Sequence, residues 1–135
     1  FKLVDAMAAR MVTHPGDIDT VVATNLHADV LSDLASALTG SLGNGATANI
    51  NPGPGVPSMF EPIHGSAFDI TGKGIANPVG AFWTGAMMLE HLGETAAAER
   101  LMKAVEAVTE NGPRTPDMGG QAGSADVTKA VLAAL

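Results

Sequence analysis

The run EPIHGSAFDITGKGIANP, residues 61–78, combines glycines and polar side chains with few apolar residues. Its three glycines, Gly65, Gly72 and Gly74, can adopt backbone conformations closed to other residues and let a ligand approach the main chain. The run ends in Asn77-Pro78, an N-cap residue followed by the residue favoured at the first helical position. A glycine-rich loop that leads into a helix N-terminus is a plausible anion or nucleotide site. On composition alone, a long surface loop before an ordinary helix is the commoner case.

The composition is that of one globular domain with a modest core. The chain has 135 residues, 46% of them hydrophobic, and no apolar run approaches the roughly 20 residues of a membrane span. The net charge of −7 argues against nucleic acid and anionic membranes as partners. Without cysteine there are no disulfides, and no signal-peptide pattern opens the chain, so we expect a cytoplasmic protein. Because the first residue is Phe1 and not methionine, we expect a piece of a longer chain.

Hydrophobic periodicity predicts mostly helices. We expect helices at residues 3–13, from a cap at Asn25 to Leu38, at 78–92, at 95–110, and from a cap at Ser124 onwards. Short strands are predicted at residues 20–24, where the strand would be buried, and at 46–50. The segments 43–60 and 114–123 are otherwise expected to be loops. This pattern indicates an α/β domain with part of its sheet missing.

The run at 61–78, together with Phe60, is similar to the nucleotide loop of the β-decarboxylating hydroxyacid dehydrogenases. The match is long and nearly ungapped, and it is distinct from the GxGxxG fingerprint of a Rossmann domain, which the chain lacks. The resemblance implies an α/β fold of the isocitrate/isopropylmalate dehydrogenase type, present here as a C-terminal fragment with an incomplete sheet. It also implies NAD as cofactor, bound by Glu61, His64, Gly65, Ser66, Ala67, Asp69, Ile70 and Asn77.

Asp69 bears on the choice between NAD and NADP. The family's NADP-using members carry a basic residue and a tyrosine where this chain has Asp69 and Ile70, and a carboxylate would repel a 2′-phosphate. The resemblance therefore implies that Asp69 accepts hydrogen bonds from the adenosine ribose. From the residues alone, Asp69 could instead close an Asx turn before Gly72. The residues alone also leave two roles for His64, a catalytic base or an ordinary loop histidine, and the resemblance adds a third, a nucleotide contact.

Two aspartates, Asp29 and Asp33, are spaced to share one face of the predicted helix 25–38. A divalent cation would relieve their repulsion, although a solvated helix face is the commoner outcome. The segment TNLHADVLSD, residues 24–33, resembles the family segment whose two aspartates hold Mg²⁺ or Mn²⁺, with His27 and Ala28 replacing an aromatic-glycine pair. Asp5 resembles the third ligand, which in the family comes from the other subunit of a dimer; the alternative is a lone aspartate near the N-terminus.

The resemblance divides the chain in two. Residues 1–40 would belong to the smaller, dimer-forming domain, where the helices at 3–13 and 26–38 would pair with their copies in a homodimer. Residues 41–135 would form the C-terminal part of the larger, cofactor-binding domain.

Four further segments, residues 48–52, 57–60, 82–84 and 115–120, look more like tartrate/D-malate dehydrogenases than isopropylmalate dehydrogenases. We therefore expect part of an NAD-dependent, metal-assisted 2-hydroxyacid dehydrogenase that acts on tartrate or D-malate. The alternatives are 3-isopropylmalate dehydrogenase and a non-catalytic fragment that retains only fold and dimer contacts. The family's acid and base, a tyrosine and a lysine, would lie upstream; this chain has no tyrosine and is expected to be inactive alone.

Overall fold

The computed structural model describes all residues from Phe1 to Leu135. It contains five α-helices and one two-stranded sheet: α1 (Val4–Thr13), α2 (Asn25–Leu38), β1 (Ala46–Asn49), β2 (Met59–Pro62), α3 (Val79–His91), α4 (Thr95–Asn111) and α5 (Ser124–Ala134). Short 3-10 turns lie at Pro15–Asp17, Leu42–Asn44 and Pro116–Met118. All five predicted helices are present, and so is the strand predicted at 46–50.

The hydrophobic core lies where α3, α4 and α5 meet. Its buried members are Val79, Ala104, Val105, Val108, Val127 and Val131. The apolar residues of α4, which are Leu101, Ala104, Val105 and Val108, recur at three- and four-residue spacing. One face of the helix is therefore apolar and packs inward. Full burial of a valine side chain stabilises the fold by about 1.5–3 kcal/mol relative to leaving it exposed. The helix α3 also packs against both strands, which attaches the sheet to the core.

The sheet is an antiparallel pair in which Ala46 lies opposite Pro62 and Asn49 opposite Met59. The strand β2 overlaps the end of the segment 43–60, for which the sequence predicts a loop. Its four residues are too few to show the two-residue period of a strand. The hydrogen bonds of the pair continue past the strands, where the Ile63 N–H donates to the Gly45 carbonyl at 3.0 Å. The loop at 64–77 therefore begins directly after the paired residues.

The prediction of a buried strand at residues 20–24 is wrong. These residues pair with no other segment, and the Val22 side chain is 98% exposed. Ile18, two residues before the run, and Thr24, its last residue, do have extended backbone, as β-branched residues favour. Extended backbone becomes a strand only when a neighbour accepts its hydrogen bonds, and this chain supplies none here.

Helix starts differ from the predicted caps by one residue at three places. The helix α2 begins at Asn25 itself, after Thr24, and α5 begins at Ser124 after Gly123, whose N–H donates to the Asp126 carboxylate at 3.0 Å. The helix α3 begins at Val79 with Pro78 as its N-cap, so Asn77 lies one residue before the cap, from where its Oδ1 atom accepts the N–H of Val79 at 3.0 Å. Asn77 is thereby fixed at the junction between the glycine-rich loop and α3.

The helices α1 and α2 pack on each other but bury little. No residue of α1 is buried, and α2 buries only Leu31 and Ser36. The predicted apolar face of α2 is open, with Leu26 70% exposed, Val30 56% and Leu38 48%. Residues 41–135 thus leave this face uncovered. None of the helices combines the length and the apolar character needed to cross a membrane.

Candidate dinucleotide and metal site

A cavity of about 650 Å³ lies where the C-terminal half of α2, the loop at 41–43, the loop at 64–77 and the 3-10 turn at 116–118 come together. Its lining is rich in glycine and in small polar side chains: Asp33, Ser41, Leu42, Gly43, His64, Gly65, Ser66, Ala67, Ile70, Thr71, Gly72, Gly74, Ile75, Ala76, Asn77, Pro116 and Asp117. A space of this volume is typical of a small-molecule or cofactor site.

Six of the eight residues predicted to bind the dinucleotide line this cavity: His64, Gly65, Ser66, Ala67, Ile70 and Asn77. The other two, Glu61 on β2 and Asp69 in the loop, are exposed and lie outside the lining. The Thr71 hydroxyl makes the side-chain hydrogen bonds in this turn, to the Ser66 and Ala67 carbonyls at 3.4 and 3.3 Å. The Asp69 carboxylate makes none, so it does not close an Asx turn.

The backbone of the loop is shaped for a close approach. Gly72 and Gly74 have φ of 77° and 67°, in the left-handed region that glycine tolerates. Ala67 has φ of 43°, a conformation that costs an alanine on the order of 1 kcal/mol and that tends to occur at functional sites. A Cβ built on Gly65 would meet no atom within 4 Å. The main chain at Gly65 is therefore open on the side of the cavity that it lines, so the loop leaves room for a dinucleotide to approach it.

A hydrogen-bond network that the sequence did not reveal joins three segments of the cavity wall. The Asp117 Oδ2 atom accepts from the Ser41 hydroxyl and from the Asn77 amide, the latter at 2.9 Å. The Asn77 amide also donates to Asn44 Oδ1 at 2.9 Å, and the Ser41 Oγ atom accepts the N–H of Gly43 at 2.9 Å. Ser41 and Asn77 are 7% and 8% exposed, whereas Asp117 keeps part of its carboxylate open.

This environment lowers the pKa of Asp117. Partial desolvation raises the pKa, but hydrogen bonds from the side chains of Ser41, Thr115 and Asn77 together outweigh it, since they favour the charged form. The pKa of the carboxyl group is therefore below its ordinary value, and Asp117 is an anion at neutral pH. Its charge is held on the wall of the cavity by neutral donors.

Two glycines allow the loop at 43–45 to press against the start of α3. A Cβ on Gly43 would lie 2.6 Å from the Asn77 Cβ atom. A Cβ on Gly80 would lie 2.7 Å from the Gly45 carbonyl oxygen and 2.8 Å from that of Gly43. Real Cβ atoms do not approach so closely, so a side chain at either position would force this wall of the cavity apart.

The C-terminal helix holds the loop from the other side. The Ser124 N–H donates to the Gly74 carbonyl at 2.8 Å, and the Ser124 hydroxyl donates to the Ala76 carbonyl. Ser124 is the first residue of α5, where a backbone N–H has no partner within the helix. The start of α5 thus fixes the loop residues immediately before Asn77.

The three predicted metal ligands are not gathered into one cluster in this chain. Asp33 lines the cavity, while Asp29 and Asp5 lie outside its lining. No group of three or more histidine or acidic side chains is placed to hold a metal ion. The only ion pair joins Arg10 to Asp17 at 3.1 Å, so Asp29 and Asp33 carry unpaired carboxylates. Two unpaired carboxylates fit a hard cation as part of a ligand set, but a full set of about six oxygens needs atoms from elsewhere.

Comparison with known proteins gives the family. The sequence profile of isocitrate/isopropylmalate dehydrogenases matches residues 1–131. The chain belongs to the isocitrate/isopropylmalate dehydrogenase family. A relative from Agrobacterium vitis, named probable tartrate dehydrogenase/decarboxylase, is 68% identical over 133 residues. An isocitrate/homoisocitrate dehydrogenase of Thermus thermophilus is 52% identical over 133 residues.

Among solved structures, isocitrate dehydrogenase from Methylococcus capsulatus superposes with a TM-score of 0.91 at 43% sequence identity. The alignment covers 98% of this chain and 39% of that structure. The predicted fold class is thereby confirmed. This family member spans 37% of the Agrobacterium relative and 39% of the Thermus relative, with 98% of its own length aligned in each case.

Proposed function

We propose that this chain is the C-terminal part of an NAD-dependent, divalent-metal-assisted 2-hydroxyacid dehydrogenase. The observation that carries the proposal is the shared cavity. Asp33 comes from the segment that resembles a metal site, and His64–Ala67 come from the segment that resembles a nucleotide loop. The fold brings these two segments, which are far apart in the sequence, to the wall of one cavity, as hydride transfer between a metal-bound hydroxy acid and a dinucleotide requires.

For the substrate we propose tartrate or D-malate. The support is the name of the relative that is 68% identical, a probable tartrate dehydrogenase/decarboxylase. The relative named isocitrate/homoisocitrate dehydrogenase is 52% identical, and a Bacillus subtilis relative named probable tartrate dehydrogenase/decarboxylase is 48% identical. The relatives' names include decarboxylases, which supports oxidation with or without decarboxylation. The alternatives, 3-isopropylmalate oxidation and a non-catalytic fragment, are outcomes of the assay below.

In this proposal the residues of the chain bind and orient, and they do not transfer the proton. Asp29 and Asp33 would hold Mg²⁺ or Mn²⁺ together with Asp5 of a second subunit. The loop at 64–77 would hold NAD, with its glycines open to the dinucleotide and Asp69 toward the adenosine ribose. The cation would stabilise the negative charge that develops on the substrate, and NAD would accept the hydride. The acid and base would come from residues outside this chain.

We further propose that residues 1–40 belong to a smaller, dimer-forming domain and residues 41–135 to the cofactor-binding domain. The support is the uncovered apolar face of α2, where Leu26 and Val30 are more than half exposed. The cytoplasmic location stays a prediction.

The test of the activity is an assay of NADH formation in the longer enzyme with tartrate, D-malate and 3-isopropylmalate, with and without Mn²⁺. We expect metal-dependent turnover with tartrate or D-malate. Turnover only with 3-isopropylmalate would show that the proposed substrate is wrong and that the alternative substrate is right. No turnover with any of the three compounds would favour the non-catalytic alternative. The same assay on residues 1–135 is expected to give no turnover.

The metal site is tested by Asp33→Asn in the longer enzyme. The substitution removes one carboxylate from the cavity, so we expect weaker Mn²⁺ binding in calorimetry and lower kcat, with the Kd for NAD little changed. Asp19→Asn is the matched control, because Asp19 is an exposed aspartate that forms no ion pair and lies outside the cavity. Unchanged metal dependence in Asp33→Asn would contradict the assignment of Asp33 as a metal ligand.

A further inference from the structure

Asp117 is a charged group in the cavity wall that the proposed chemistry does not use. It lies in the 3-10 turn at Pro116–Met118, and its partners Ser41 and Asn77 lie on two other segments of the same wall. We propose that Asp117 is a positioning residue, which holds Asn77 and the loop at 41–45 in the arrangement that receives the dinucleotide. This inference rests on the proposed function, since it concerns the same cavity.

The geometry shows how one carboxylate oxygen can set two backbone segments. Through Asn77 it reaches the start of α3, because the Asn77 amide donates to Asp117 while its carbonyl oxygen accepts the Val79 N–H. Through Ser41 it reaches the loop, because the Ser41 hydroxyl donates to Asp117 while its oxygen accepts the Gly43 N–H. Asp117 therefore fixes the direction of both donors.

Burial makes these two contacts hard to replace. Ser41 and Asn77 are more than nine-tenths buried, so few protein groups other than Asp117 can accept from their donors. A nearly buried donor without a partner is costly, and a hydrogen bond to a charged group is stronger than one between neutral groups. Asn44 keeps one contact to the Asn77 amide at 2.9 Å, but Ser41 has no second acceptor for its hydroxyl. The loop at 41–45 is thus the segment that depends most on Asp117.

The competing role for Asp117 is direct contact with the ligand, because the residue also lines the cavity. The two roles differ in the ligand-free protein. A positioning residue orders the loop whether or not the ligand is present, whereas a residue that only touches the ligand leaves the empty loop unchanged. Amide hydrogen exchange at Gly43 and Val79, the two N–H groups at the ends of the network, separates the roles.

The experiment compares Asp117→Ala and Asp117→Asn with the unmodified longer enzyme. We expect Asp117→Ala to speed exchange at Gly43 and Val79 without ligand and to raise the Kd for NAD by about tenfold, the effect of losing one such hydrogen bond. Asp117→Asn should change the exchange rates and the Kd for NAD less, because its carboxamide oxygen can accept from the same two donors. Val108→Ala is the stability control: it opens a gap in the core, which lowers Tm, and it should leave the Kd for NAD and local exchange at Gly43 unchanged.

The outcomes separate this inference from the proposed function. If the unmodified enzyme binds no NAD, the proposed function fails, and exchange alone still decides whether Asp117 orders the loop. If the enzyme binds NAD but Asp117→Ala leaves exchange at Gly43 and Val79 unchanged, the positioning role is overturned. If Val108→Ala weakens NAD binding as much as Asp117→Ala does, the effect is general loss of stability and the inference is also overturned.

Discussion

Asp69 and Asp117 are both acidic residues at the candidate site, but their surroundings differ. Asp117 accepts hydrogen bonds from two nearly buried side chains, and its role is set within the chain. Asp69 is exposed and accepts none, so its carboxylate is free for a partner outside the chain. A fixed negative charge without an internal partner is what selection against a 2′-phosphate would need.

We therefore predict that Asp69→Lys combined with Ile70→Tyr shifts cofactor preference toward NADP in the longer enzyme. The change removes a repulsive charge and adds an attractive one, so a shift of about one to two decades in the ratio of kcat/KM for the two cofactors is expected. Glu106→Lys on α4 is the control, since it makes the same charge change at an exposed position away from the cavity. An unchanged ratio would leave Asp69 without a role in cofactor choice.

Part of the candidate site can be predicted from the sequence. The residues that cannot be predicted are those whose partners lie far away along the chain. The loop residues His64 to Ala67 could be predicted because they form one continuous motif. Asp117 could not, because its partners are 76 and 40 residues away, and no local pattern predicts such pairings. Its position after Pro116 and before a glycine pair indicates only a turn.

At the scale of elements, α3 is placed by the closeness of Gly80 to the loop at 43–45. We predict that Gly80→Ala destabilises the fold by about 1–3 kcal/mol, because the new methyl group would overlap two backbone carbonyl oxygens. Gly85→Ala in the same helix is the matched control: its Cβ would lie 3.7 Å from Leu101, an ordinary contact, and alanine favours the helix.

Chemical denaturation of both variants measures the difference. We expect Gly80→Ala to unfold at lower denaturant than the unmodified protein and Gly85→Ala to unfold at the same concentration or a higher one. Equal stability of the two variants would mean that the loop and α3 can separate without cost, and that Gly80 does not determine where the cavity wall lies.

The elements that were predicted from sequence share one property, which is that their signal is local. The apolar face of α4 repeats over several turns and is visible in the sequence, and Asn77-Pro78 marks the start of α3 to within one residue. The strand β2 and the unpaired segment at 20–24 show the limit of this reasoning. Four residues become β2 because β1 lies beside them, while a more strand-like run at 20–24 stays unpaired for want of a neighbour.

At the scale of the whole molecule, the apolar surface is unevenly distributed. The helices α3, α4 and α5 form the core and expose Trp83, Met88 and Leu132, whereas α1 and α2 form no core and expose Val4, Val12, Leu26, Val30 and Leu38. Apolar side chains exposed together on one helix pair are typical of a surface that another polypeptide covers. This distribution supports the proposed assignment of residues 1–40 to the dimer-forming part of the enzyme.

We predict that Val30→Glu in the longer enzyme disrupts the proposed dimer, because the substitution would bury an unpaired carboxylate in the proposed interface. The dimer dissociation constant should rise by about a hundredfold, a change that analytical ultracentrifugation detects as a monomer at micromolar concentration. Leu132→Glu is the matched control, since Leu132 on α5 is 60% exposed, close to the 56% of Val30, but lies in the proposed cofactor-binding part. If both variants remain dimers, the open face of α2 lies outside the dimer interface. In that case the metal site would also have to form without Asp5 of a second subunit, because α1 and α2 would no longer meet their copies.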